Sequence, residues 1–431
     1  MARVRPFQAY RYATGSSDIS QLVAPPYDVI DDAQRAALLA REPHNIVALE
    51  LPEGPLDPKV HGSRYETGAA RWRQWRDEGV LARDVLPAIY VLEQRWTRGE
   101  REITRRAFVA AVGLEPFSAG VVLPHERTLP KALDDRLNLT RACAANLSQV
   151  LGLFPDEALE SSAVFERTVL SEPLETATGD DGVESRIWAI DDAEDLAWIA
   201  GFFEDRTVFI ADGHHRYTTA LAYRDERRIL AAEAGERPID PAYDFVMMAL
   251  ANMDDPELLV LPTHRVADAA GEFDPDAFWV ALSGHFDIAE LAPGHPADVL
   301  STDGPPAFIV ATRDGRRRLV RVRAGVDLDS AVPTGHSSAW KHLDVAVLQE
   351  LVLWPLLGIH PDKPETLDRL RFVKDAHGAL EMSADHDVVF VLRPTRMDQM
   401  RAVALAGETM PQKSTYFYPK LLSGLLVRSA E

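Results

Sequence analysis

Two polar clusters in this chain carry residue types and spacings that could do chemistry: Leu123-Pro-His-Glu-Arg-Thr128 and Asp212-Gly-His-His-Arg216. Each follows directly on an apolar run, which is where the end of a strand gives way to a turn. In the second cluster Gly213 lets the backbone come close to a ligand. His214 and His215 can donate hydrogen bonds or a proton near neutral pH, and Arg216 offers a bidentate fork to an anion. Asp212 could position Mg2+ or a ribose hydroxyl. His125 and Glu126 bring an imidazole and a carboxylate, the groups that move protons. Lys131 and Arg136 follow as phosphate contacts or as plain helix-surface residues. Lys413, Ser414 and Thr415, with Lys420, form the other concentrated phosphate-competent group, read equally well as a packed structural tail. No Gly-rich loop precedes Lys413, so it is not a Walker lysine.

These clusters need elements to hold them. Residues 208–211 are apolar and rich in strand formers, so they predict a short buried strand that ends at Asp212-Gly213. Tyr217, Ala220 and Leu221 then recur at helical spacing until Gly235 stops the helix. Residues 213–216 therefore lie at a helix N-terminus, whose N–H groups and dipole suit phosphate. A strand is expected over 45–51, and a helix over 65–78 with Trp72 and Trp75 on its core face. Residues 88–114 predict a hairpin. A helix carrying Leu133, Leu137, Ala144, Leu147 and Leu151 is expected to bury Cys143, and a strongly apolar helix is expected over 345–357. The alternation gives an α/β fold, mixed α+β in its outer parts. Its expected regions are 1–115, 116–266 and 267–431, with a mixed sheet and crossover helices in the central one.

The segment IADGHHRY resembles the signature of the DUF1015 family. The segments APPYDVI (24–30), LPHERTLP (123–130), DRLNL (135–139), LPTHR (261–265), LDVAVLQE (343–350) and MPQKSTYFYPKL (410–421) look like further blocks of that family in family order. The middle of the chain is also similar to the ParB and sulfiredoxin superfamily, which includes free-serine kinases with an Asp-Gly-His-His-Arg turn. That resemblance implies a central ParB/sulfiredoxin-like nucleotide-binding region and a nucleoside di- or triphosphate, ATP or ADP, with Mg2+ as cofactor. It also implies phosphoryl transfer to a small hydroxyl metabolite, free L-serine first among them. In those kinases a glutamate before the first helix is the base, and the matching position here is Glu126. Sulfiredoxin-like repair is disfavoured, because His214 stands where that family's turn holds its reactive cysteine.

Composition narrows the choice further. The 431 residues, 46% hydrophobic and 26% charged, can bury more than one core. A net charge of -21 repels nucleic-acid backbones and anionic lipid, so neither partner is expected. The single cysteine excludes an internal disulfide and suits a reducing cytosol. No run has the length of a membrane span, so a cytoplasmic protein is expected. Two rival readings stay open. A non-catalytic nucleotide switch would keep the phosphate turn and lose the base. A metal-dependent hydrolase would use His125, Glu126, Asp212, His214 and His215, although adjacent histidines rarely share one ion.

Overall fold

A computed structural model describes residues 1–13, 18–127, 130–291, 299–300, 304–360 and 363–431, with the backbone alone for residues 130–132. The fold is mixed α/β, and its contacts gather into two units. The first comprises Met1–Pro124, Thr128–Leu258 and Pro419–Glu431, and the second comprises His125–Arg127 and Leu259–Tyr418.

The first unit is built on a nine-stranded sheet that mixes parallel and antiparallel pairs. The strand Val208–Asp212 lies between Val122–Leu123, its parallel neighbour, and Val150–Phe154, its antiparallel one. Phe245–Asn252 follows, parallel to Val150–Phe154, and then the long hairpin Arg101–Gly113 and Ile89–Arg98. Val208, Ile210, Val150, Met248 and Phe108 meet in one core with Tyr217 and Ala220 from the helix His214–Glu233. That helix is tied to the chain after the hairpin. The Tyr217 hydroxyl exchanges hydrogen bonds with the Glu115 N–H (3.0 Å) and carbonyl (2.9 Å), and Arg224 donates to the Leu114 carbonyl at 2.6 Å.

Three expected elements differ. The apolar run 45–51 is not a strand but the helical turn Val47–Glu50. The Asn45 side chain donates to the Gln21 and Val23 carbonyls and accepts from the Val47 N–H, which turns the backbone while Ile46 to Leu49 are buried all round. The helix expected to reach Leu151 is Pro130–Cys143. It ends where Ala144 takes a left-handed φ of 46°, and the strands Ala145–Asn146 and Val150–Phe154 follow. Residues 345–357 are helical but broken, with a π turn over Gln349–Leu353 between Asp344–Leu348 and Trp354–Leu357. Pro355 cannot donate a ladder hydrogen bond there, and a wider turn accommodates the loss.

The second unit holds a six-stranded antiparallel sheet, ordered Phe286–Glu290, Arg317–Val322, Ala307–Thr312, Val388–Leu392, His264–Ala267 and Leu370–Val373. Among the described residues no helix is long and apolar enough to cross a membrane.

Candidate functional site

The turn at Asp212-Gly213 is set by the strand before it and the helix after it. Val208, Phe209 and Ile210 are buried, and the register with Val150–Phe154 shifts between Ile210 and Asp212, so the strand ends in an irregular step. Gly213 then has φ 87°, a left-handed conformation that glycine adopts without strain. The helix runs 20 residues from His214 with no side-chain hydrogen bond at its N-cap. Tyr217 N–H bonds back to the Gly213 carbonyl at 3.0 Å, which starts the helix ladder.

Asp212 organises the cations around this turn. One of its oxygens accepts from Arg216 Nη2 at 2.8 Å and the other from Lys420 Nζ. Burial alone would push its carboxyl up, but Lys420 and Arg216 override that and hold it far below the usual carboxylate range. Arg216 Nη1 donates to the Gln149 carbonyl, and Gln94 Nε2 fixes the Lys420 carbonyl at 3.0 Å. Arg105, buried nearby, donates to the Pro419 carbonyl at 2.6 Å and to Gln94. Burial pushes its guanidinium down to about 10 against the pull of Asp212. Asp212 was expected to position Mg2+ or a ribose hydroxyl. In this structure both of its oxygens are engaged by protein cations, Lys420 and Arg216.

Beside Arg216 lies a cavity of about 50 Å3 lined by Tyr27, Glu50, Arg136, Ser148, Thr219 and Arg216, among others. Arg136 is not a helix-surface residue, being 5% exposed. Its Nε and Nη2 close on one oxygen of Asp135 (3.0 and 2.6 Å), its Nη1 donates to the Glu50 carbonyl (2.8 Å), and its Cζ sits 4.3 Å from the Tyr27 ring centre. The Lys131 side chain lies outside the described residues.

The remaining expected site residues belong to the second unit. His125 accepts a hydrogen bond at its carbonyl from the Met410 N–H (2.8 Å), and its Nε2 meets Thr415 Oγ1 at 2.8 Å. Glu126 bridges Met410 in parallel, and its charge acts on Arg265, whose guanidinium burial pushes down to about 10. Lys413 has a left-handed φ of 57°, and its carbonyl accepts from Arg265 Nη2 at 3.1 Å. Ser414 is buried, and its hydroxyl donates to the Pro411 carbonyl.

The first unit thus holds Arg136, Asp212, Gly213, His214, His215 and Arg216, and the second holds His125, Glu126, Lys413, Ser414 and Thr415. Sequence reasoning passed over Glu50 and Arg105. Glu50 had a signal, a charged residue closing the apolar run Ile46 to Leu49, whereas Arg105 looked like any hairpin arginine. Among the described residues no three His, Cys, Asp or Glu side chains gather as metal ligands.

No curated protein matches the chain. Among solved structures, a free serine kinase in complex with AMP is 13% identical over 69% of this chain and 83% of that one, with a TM-score of 0.33. A mutant free serine kinase in complex with ADP is 11% identical over 69% and 84%, with a TM-score of 0.34. SbnI with C-terminal truncation, from Staphylococcus aureus, is 13% identical over 74% and 87%, also with a TM-score of 0.34. The family model described as "Protein of unknown function (DUF1015)" matches residues 4–346, most of the chain, and the chain belongs to that family.

Proposed function

We propose that the protein is a nucleotide-dependent phosphotransferase that acts on a small hydroxyl metabolite, with free L-serine the acceptor favoured by sequence resemblance. One observation carries the reading. A 20-residue helix opens without a side-chain cap on a left-handed glycine at a strand end, with Lys420 and Arg216 ordered beside it by one partly buried aspartate. Such an N-terminus offers N–H donors and a positive dipole to phosphate. Lys420, paired with Asp212, adds a point charge, and His214 and His215 add imidazole groups. Arg216 sends both Nη atoms inward, so its work is to hold the turn.

In the proposed step the acceptor hydroxyl oxygen bonds to the terminal phosphorus of ATP or ADP. Its proton passes to the Glu126 carboxylate, and the bond from that phosphorus to the bridging oxygen breaks, releasing a nucleotide one phosphate shorter. The test incubates the protein with Mg2+, ATP or ADP and L-serine, and looks for O-phosphoserine by mass spectrometry. Glu126→Gln should lower transfer by about 100-fold or more while nucleotide affinity stays as in the wild type. Nucleotide binding without product from either donor across a panel of small alcohols would overturn the reading in favour of a non-catalytic switch.

A further inference from the structure

The cavity beside Arg216 contains three polar atoms that the protein leaves unsatisfied. Glu50 Oε1, Thr219 Oγ1 and Arg216 Nε are all buried without a hydrogen-bond partner. All three residues line the cavity, and Glu50 and Thr219 are each only 3% exposed. The cavity's guanidinium charges are already met, that of Arg136 by Asp135 and that of Arg216 by Asp212. Glu50 has a weaker one, a single long ion pair through Oε2 that leaves Oε1 without a donor. Its nearest cation is Arg136 Nη1, 3.4 Å from Oε2 and already committed to the Glu50 carbonyl at 2.8 Å. A buried carboxylate oxygen in this state asks for a charged donor, Arg216 Nε asks for an acceptor, and the threonine hydroxyl serves either.

We infer that this cavity binds a compact molecule with a primary ammonium at one end, held by Glu50, and a hydroxyl or carboxylate at the other, held by Arg216 and Thr219. The size limits the class. At 10–15 Å3 for each water, about 50 Å3 accommodates roughly four water-sized groups. That admits a short amino alcohol or one of the smallest amino acids and excludes a nucleobase. As the acceptor's amine subsite, the assignment rests on the phosphotransferase reading, but the binding it requires can be measured without nucleotide.

The test is calorimetric titration of the full chain, without nucleotide, using ethanolamine, ethylene glycol and KCl. Ethanolamine and ethylene glycol have the same number of heavy atoms and differ in the ammonium. Ethanolamine should bind the wild type at least tenfold tighter than ethylene glycol, and Glu50→Gln, checked for folding by circular dichroism, should remove that preference. Equal binding of the two on the wild type would overturn the assignment without any variant. So would heat from K+ alone, or an ethanolamine preference that survives Glu50→Gln. A protein that binds ethanolamine through Glu50 yet transfers no phosphate keeps the amine site and loses the phosphotransferase reading.

Discussion

The helix His214–Glu233 has a left-handed glycine beyond each end, and the two make a matched pair for testing what the turn at Gly213 is for. Gly235 has φ 74° with open space where a Cβ would go, while Gly213 has φ 87° and would place a Cβ 2.8 to 3.0 Å from Nε, Nη2 and Cζ of Arg216. Alanine at either position takes the left-handed penalty of roughly 1–2 kcal/mol, partly offset by a stiffer unfolded chain. A guanidinium on a flexible stem would ordinarily swing clear. Here Asp212 and the Gln149 carbonyl hold it, so making room means giving up a charge-assisted hydrogen bond worth about 1.5–3 kcal/mol. Gly213→Ala should therefore be less stable than Gly235→Ala by that difference, which at about 2–4 °C per kcal/mol is a gap of roughly 3–12 °C in thermal unfolding. Titration with ADP should show at least tenfold weaker binding for Gly213→Ala and wild-type binding for Gly235→Ala. Equal melting temperatures and equal ADP affinities for the two variants would refute the claim that backbone and guanidinium are packed together to receive an anion.

Two further outcomes follow from buried titratable groups. His264 accepts from the Leu392 N–H at Nδ1 (3.2 Å), and burial, with Arg265 beside it, pushes its imidazole down to about 4. A folded value below the unfolded one near 6.5 gives stability that is present above pH 6.5 and is lost as pH falls towards 4, about 3 kcal/mol in all. Melting curves across that range should show the loss, and its persistence in His264→Asn would exclude His264 as the source. Burial also pushes the Cys143 thiol up to about 12, so the native protein should resist a thiol reagent at pH 8 and react once unfolded. Full labelling of native protein within minutes would contradict this placement.

The strand, turn and helix around Asp212 were legible because the signals are local. A β-branched apolar run, a glycine where φ is positive and a switch to helical spacing all fall within residues 208–221. The tryptophans Trp72 and Trp75 were legible as core for the same reason, being one helical turn apart on one face. What failed depends on partners far away in the chain. Residues 45–51 turn into a helix because Asn45 finds carbonyls at Gln21 and Val23, and no residue type within the run announces that. The helix through Leu139 stops at Cys143 on an alanine with positive φ, where the sequence offers no glycine or proline as a stop. Lys420 reaches Asp212 across a separation of 208 residues, because the last segment of the chain returns to the first unit.

The geometry of Arg216 gives these pieces a single logic. Its two Nη atoms face Asp212 and Gln149, and so hold the helix start, while its Nε is the unsatisfied donor beside the cavity that contains Glu50. One rigid planar group therefore belongs to both the proposed anion cradle and the proposed amine pocket. A lysine at 216 would keep the charge but could not serve both sides, because an ammonium has no fixed plane through which one contact sets the direction of another.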